Sequence, residues 1–222
     1  MGERSKTMTH QREAIARARR HAMDMLSSTL PPWAVYHSPR HTRQTVAACR
    51  EIGGALRLTE EQMGIVLLAA WFHDTGYARS AEGHEARSAE TAARFLRREG
   101  YPQRMIARVR GCIMATRMPQ RPRSLLQRVL CDADLISLGK KGFLAQNELL
   151  RQEMERREGR RIEEVVWLHR SYRFLHQHRF ATRYGRTVLE SGKQTNLRRL
   201  RRLIRQEERR RPRHSVAAVS AR

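Results

Sequence analysis

The 222-residue chain has little cysteine: Cys49, Cys112 and Cys131 are odd in number, far apart and in no C-x-x-C spacing. That excludes a disulfide framework and reads as reduced core thiols of a cytoplasmic protein. Long apolar runs are also missing. The longest, "MGIVLLAAWF" over residues 63–72, is half of what a membrane span needs, so neither a transmembrane helix nor a membrane partner is expected. The first twenty residues are full of charge and lack the apolar core of a signal peptide. No phosphate-cradling glycine loop is present. "GKQT" at 192–195 lacks the upstream glycines and the preceding strand, and serine-nucleophile motifs are absent too. Strand-like alternation, a long linker and internal repeats are missing as well.

What is abundant is positive charge, a formal +23. Such an excess points to a nucleic-acid partner bound through a basic surface, or to attraction of small anionic substrates. Of the 45 basic residues only Lys6, Lys140, Lys141 and Lys193 are lysine, as arginine-rich coding would give, and no aromatics alternate with the charges along the chain. We favour the small anion. Apolar residues, 40% of the chain, fall in periodic clusters sufficient for one packed domain.

Those clusters read as helices almost throughout. A helix over 9–29 ends at Pro31-Pro32. Ser38 and Pro39 suit the N-cap and first position of the next, which places His41 in its first turn. Thr59 with Gln62 makes a capping box for a helix carrying "MGIVLLAAWFHD" to a C-cap at Gly76. "HEARSAETAARFLRREG" sets Ala86, Ala89, Ala93 and Leu96 on one face. Pro102 opens a helix with Ile106, Val109 and Ile113, and Ser124 with Gln127 caps "LLQRVLCDADLISLG". Helices at about 143–158 and 162–178 follow, and a stripe of Leu197, Leu200 and Leu203/Ile204 precedes a charge run. The expectation is a single all-α domain over 9–200 with a basic, Arg-rich tail over 201–222.

Four places concentrate metal-ligand residue types: "YHSPRH" (His37, His41), "FHD" (His73, Asp74), "GHE" (His84, Glu85) and "CDAD" (Asp132, Asp134). Each alone has a plain explanation as a satisfied core or surface group. A carboxylate pair inside an apolar helix is harder to excuse, because an unpaired buried charge is costly. Together they form a nitrogen-and-oxygen set without cysteine, suited to Mn, Fe, Co or Zn, or to Mg where oxygens dominate.

The order His41, then His73-Asp74, then a distant Asp134 resembles the HD metal-dependent phosphohydrolases. "VYHSPRHTRQTV", "AAWFHDTGY", "GHEARSAETA", "CDADLISLG" and "LLRQE" follow the order of a bacterial HD subgroup, and "YHxxxH" is similar to cyclic-nucleotide phosphodiesterase domains, with Ser38 where those have Asn. The resemblance implies an HD-type helical bundle and one or two divalent ions (Mn, Fe, Co, Ni, Zn or Mg). His41, His73, Asp74 and Asp134 would be ligands, with Asp132 in reserve for the last. Asp74 would bridge to a second ion, which His84 would help to hold, and Glu85 would orient a histidine. His37 would donate a proton, and Lys140 and Arg79 would bind phosphate. Arg151 and Glu153 match a subgroup motif or brace two helices; Thr116 lines the site or only ends its helix. Trp71, Phe72, Phe95, Trp167 and Phe174 are expected in the core.

The activity implied is hydrolysis of a nucleotide-like or cyclic-nucleotide phosphoester by metal-activated water. Two other readings stand beside it: an HD-type di-iron oxygenase, and a basic nucleic-acid-binding module with a non-catalytic HD site.

Overall fold

The computed structural model describes residues 2–210, with side chains from residue 13 onward. Among the described residues there is no strand, and nine α-helices account for most of the chain. They are α1 (Gly2–Thr29), α2 (Pro39–Ala55), α3 (Glu60–Phe72), α4 (His84–Arg98), α5 (Gln103–Ala115), α6 (Leu125–Asp134), α7 (Phe143–Glu158), α8 (Glu164–Gln177) and α9 (Glu190–Arg210). The fold is all-α, as the sequence leads one to expect.

Local chemistry sets the helix starts. Ser38 accepts from the His41 amide with Pro39 at the first helical position, and complete capping boxes at Thr59/Gln62 and Ser124/Gln127 open α3 and α6. α3 is apolar on every side and lies at the centre, where Ile65, Val66, Leu68, Ala69, Ala70 and Phe72 are fully buried. At about 1.5–3 kcal/mol for each large apolar side chain removed from water, this helix anchors the first core, to which α1–α6 all contribute. A second core gathers Phe143, Leu168, Leu175, Phe180, Leu189, Leu197, Leu200 and Ile204 from α7–α9 and their connections. Ile136 and Tyr184 pack against both cores. All three cysteines are buried free thiols, and burial pushes Cys112 up to about 12, so they are inert core residues.

Three local expectations are corrected. α3 ends at Phe72, and the chain enters a 3₁₀ turn over Thr75–Ala78, so Gly76 lies inside a turn and is no C-cap. A Cβ at Gly76 would overlap the carbonyl oxygen of His84, so this glycine allows the first turn of α4 to approach. Ala86 faces solvent, and the buried face of α4 runs Glu85, Ser88, Ala89, Ala92, Ala93, Leu96. The boundary expected at residue 200 falls within α9, where Leu200 and Ile204 are buried. Residues 211–222 of the expected tail lie outside the described residues.

Candidate metal centre

His41 stands in the first turn of α2, His73 and Asp74 follow the end of α3, Asp134 is the last residue of α6, and His84 begins α4. Helix ends that meet at one point deliver five side chains to it. One ligand atom each from His41, His73 and Asp134 lies within 4.8 Å of the others, a group able to hold a metal ion. His41 Nε2 is 3.0 Å from Asp134 Oδ1 and 3.5 Å from His73 Nε2. Asp74 Oδ2 is 3.1 Å from His73 Nε2 and 3.5 Å from His41 Nε2, yet it is buried and makes no hydrogen bond. A buried carboxylate oxygen without a hydrogen bond is held here only by the electrostatic contact of two imidazoles, and a cation among these donors would satisfy it.

The histidine tautomers agree with such a role. His73 Nδ1 donates to the Ala70 carbonyl at 2.8 Å, and His84 Nδ1 donates to Ala81 at 2.8 Å. When neutral, each ring therefore presents the lone pair of Nε2. His84 Nε2 sits 3.6 Å from Asp74 Oδ1, the oxygen opposite the one facing His73. Asp74 thus offers one oxygen to each of two neighbouring positions.

Burial alone would disfavour the charged forms, but the opposite charges win. It would raise both carboxyls, but Asp74 is held far below the usual carboxylate range by His73, His37 and His41, and Asp134 by its contacts with His41 and His73. His73 is pushed well above an ordinary imidazole by the same two carboxylates, against the pull of burial. A divalent ion would take the place of the protons these carboxylates attract.

Asp132 is not part of this group. Its carboxylate accepts from the Ala181 amide (2.8 Å), the Thr182 amide (2.8 Å) and the Thr182 hydroxyl (2.6 Å), all in the segment between α8 and α9. Of the two aspartates, only Asp134 faces the histidines. Gln120 Nε2 donates to Asp134 Oδ2 at 3.3 Å and steadies it, a partner the sequence did not signal.

His37 flanks the cluster. Its ring stacks on Tyr77 at 4.0 Å, and its Nδ1 meets Glu153 Oε1 in a short contact. Glu153 Oε2 also accepts from the amides of Tyr36 (2.8 Å) and His37 (2.9 Å). The expected Arg151–Glu153 brace is absent: Arg151 pairs with Glu155 at 3.1 Å on its own helix, while Glu153, 2% exposed, grips the His37 loop. Burial lowers the His37 pKa, but Glu153, Asp74 and Asp134 outweigh it, and the net shift is upward. Glu85 lies 3.6 Å from His84 Nδ1, near enough to orient that ring electrostatically.

The cluster opens into a cavity of about 330 Å³ between the two cores. Asp74, His84, Asp134 and His37 lie on one side. Leu150 and Met154 of α7 and Trp167, Arg170 and Phe174 of α8 face them. Thr116 lines it as well. Arg79 and Lys140 do not. Arg79 is exposed elsewhere, and Lys140 pairs with Glu51 at 2.8 Å. Trp167 is buried as expected, but Phe174 is 37% exposed and belongs to the cavity rather than the core.

Fold and cluster together define a class, an all-α protein with a histidine–carboxylate group able to hold a divalent ion. Residues 40–139 match the family model of the HD domain, a domain found in general in metal-dependent phosphohydrolases. No curated protein and no solved structure gives a significant match. The matched segment runs from the start of α2 to the turn after α6 and contains His41, His73, Asp74, His84 and Asp134. It does not contain Glu153 or the α7–α8 wall of the cavity.

Proposed function

We propose that this protein is a metal-dependent phosphohydrolase acting on a nucleotide-like or cyclic-nucleotide phosphoester. The observation that carries the reading is the buried Asp74 Oδ2, which makes no hydrogen bond, beside the Nε2 atoms of His73 and His41, at the floor of a cavity that a braced histidine overlooks. His41, His73, Asp74 and Asp134 would hold one divalent ion, and His84 with the second oxygen of Asp74 would serve a neighbouring position. Such an ion, when bound, lowers the pKa of water toward neutrality and offsets charge on phosphoryl oxygens.

The chain's own residues supply the rest. His37, protonated through its contact with Glu153, donates a proton from Nε2 to the departing oxygen. Glu153 holds the ring through Nδ1 and the loop beneath it through the Tyr36 and His37 amides, so the proton is carried in one orientation. Among the described residues lining the cavity, Arg170 is the one guanidinium, and it lies 6.0 Å from the Trp167 ring centroid. One cation beside Trp167, Phe174, Leu150 and Met154 suits a substrate with a single phosphate and a flat apolar body better than a chain of phosphates.

Elemental analysis of purified protein, with a bis(p-nitrophenyl) phosphate assay, tests the reading on the wild type, His73→Ala and Asp134→Ala. Near-stoichiometric transition metal and hydrolysis, both lost in the two variants, are expected. Folded wild type that takes up no metal on reconstitution would overturn the reading. Iron with dioxygen consumption and no hydrolysis would replace it with the oxygenase.

A further inference from the structure

A second cavity, of about 530 Å³, lies between α8 and α9 and shares no lining residue with the HD cavity. Its walls carry Arg179, Arg186, Arg198 and Arg201 beside Tyr172, His176 and Phe180. Protein contacts already orient these guanidinium groups without neutralising them. Arg179 donates to the carbonyls of His176 (2.6 Å) and His178 (3.0 Å), Arg186 to Ala181 (2.8 Å), and Arg198 to the Thr195 hydroxyl (2.9 Å). Arg201 donates to the Tyr172 hydroxyl at 2.8 Å and lies 5.2 Å from that ring's centroid, while His176 stacks on Tyr172 at 5.8 Å. Glu190, the one acid among the described residues of the wall, is engaged at Oε1 by Lys193 (3.0 Å) and Gln194 (2.8 Å).

This cavity continues into a groove of about 460 Å³ along α9, lined by Arg198, Arg201, Arg202, Arg205, Gln206 and Arg209. These arginines are exposed, whereas Asn196, Leu197, Leu200 and Ile204 of the same helix are buried. The acids nearest in sequence pair elsewhere, Glu207 with Arg210 (2.7 Å) and Glu208 with His169 (3.1 Å). At 1.5 Å per residue, Arg198 to Arg209 spans roughly 16 Å. Seven arginines along one continuous channel, against one carboxylate among the described residues of its walls, concentrate positive potential far more than the average surface of a basic protein.

We propose that this channel binds single-stranded nucleic acid, with successive phosphates on the α9 arginines and a base against the Tyr172–His176–Arg201 stack. The sequence showed no aromatics alternating with its basic residues; the fold supplies them by laying α8 against α9. A flat stack at one end of a phosphate track is the arrangement that single-strand binding uses, and a lone small anion would leave most of the track unused. The inference does not rest on the HD site. Its helix α8 presents Trp167, Arg170 and Phe174 to one cavity and Tyr172 and His176 to the other.

The test is fluorescence anisotropy of labelled dT12 and rU12 with the full chain, titrated over salt. Inorganic polyphosphate and phosphatidylserine vesicles serve as competing polyanions. Simultaneous Arg→Gln change of Arg198, Arg202, Arg205 and Arg209 should lower the slope of log K against log salt by about 3, near 0.7 for each phosphate that no longer meets an arginine. Tyr172→Ala should weaken oligonucleotide binding roughly ten-fold and leave polyphosphate binding unchanged. A matched change of Arg94, Arg98, Arg104 and Arg110, on α4 and α5, controls for net charge. Equal losses in the two quadruple variants would overturn the proposal in favour of bulk charge. A Tyr172→Ala variant that binds oligonucleotide as the wild type does would refute the base contact. Vesicles that bind the channel more tightly than either oligonucleotide would assign it to a membrane surface instead.

Discussion

At the scale of single residues, two aspartates two positions apart do different work. Asp134 faces imidazoles, whereas Asp132 accepts three hydrogen bonds that tie the 181–182 segment to α6. Asp134→Asn should therefore abolish metal uptake and hydrolysis while the chain stays folded, because an amide of the same shape still meets His41 and Gln120. Asp132→Asn should do the reverse. It weakens buried charge-assisted bonds at a cost of about 1–3 kcal/mol, lowers the melting temperature and leaves metal content intact. Metal analysis beside calorimetry separates the two. His37 and Glu153 form a second pair of roles. If His37 protonates the departing oxygen, His37→Ala and Glu153→Gln should lose at least ten-fold more kcat on a poor leaving group, such as an alkyl ester, than on a p-nitrophenyl ester, with KM nearly constant. Equal losses on both esters would mean that Glu153 only holds the loop.

At the scale of elements, the helices were legible wherever local chemistry decides them. Ser38–Pro39, Thr59–Gln62 and Ser124–Gln127 announce three helix starts, and each cap is formed in the structure. Ends that depend on a distant partner were not legible. Gly76 looks like a C-cap in sequence, but its requirement comes from α4, whose His84 carbonyl occupies the space a Cβ would need. Gly76→Ala should push the first turn of α4 away, lowering stability by about 1–3 kcal/mol and reducing metal stoichiometry at the position beside His84. The α8–α9 connection yields a prediction about pH. His178 is lowered to about 4, first by burial and then by the nearby Lys193 charge, with Arg179 adding to the effect and Glu190 opposing it. The unfolded chain takes up this proton near the ordinary imidazole value of about 6.5, and the folded chain does not. The stabilisation is thus complete above about 6.5 and is lost as pH falls from there toward 4. His178→Asn should flatten the decline in melting temperature over that window relative to wild type, and an identical decline in both would refute the assignment.

At the scale of the whole molecule, the candidate metal centre and the cavity wall opposite it come from different parts of the chain. His41, His73, Asp74 and Asp134 are picked out in the sequence through its resemblance to the HD phosphohydrolases, and the structure brings them together at the ends of α2, α3 and α6. Arg79 and Lys140 could not be judged that way. Closeness in sequence to a ligand says nothing about which side of a helix end faces the cavity, and the cation that does line it, Arg170, lies on α8, beyond the family-matched residues 40–139. Phe174 was misplaced in the core for the same reason, since helical spacing gives a face but not what lies opposite it. This division makes a prediction about how the protein fails. Arg170→Ala and Phe174→Ala remove wall contacts without touching a ligand, so metal content and unfolding temperature should stay near wild type while KM rises, by roughly ten-fold or more for Arg170→Ala, whose charge would meet the phosphate. His73→Ala should remove metal and kcat together. If Arg170→Ala instead lost metal, the α8 wall would be part of the centre's own support. If it changed neither KM nor metal, the phosphate would be held by the ion and its ligands alone, and the apolar wall would be left to decide which phosphoester enters.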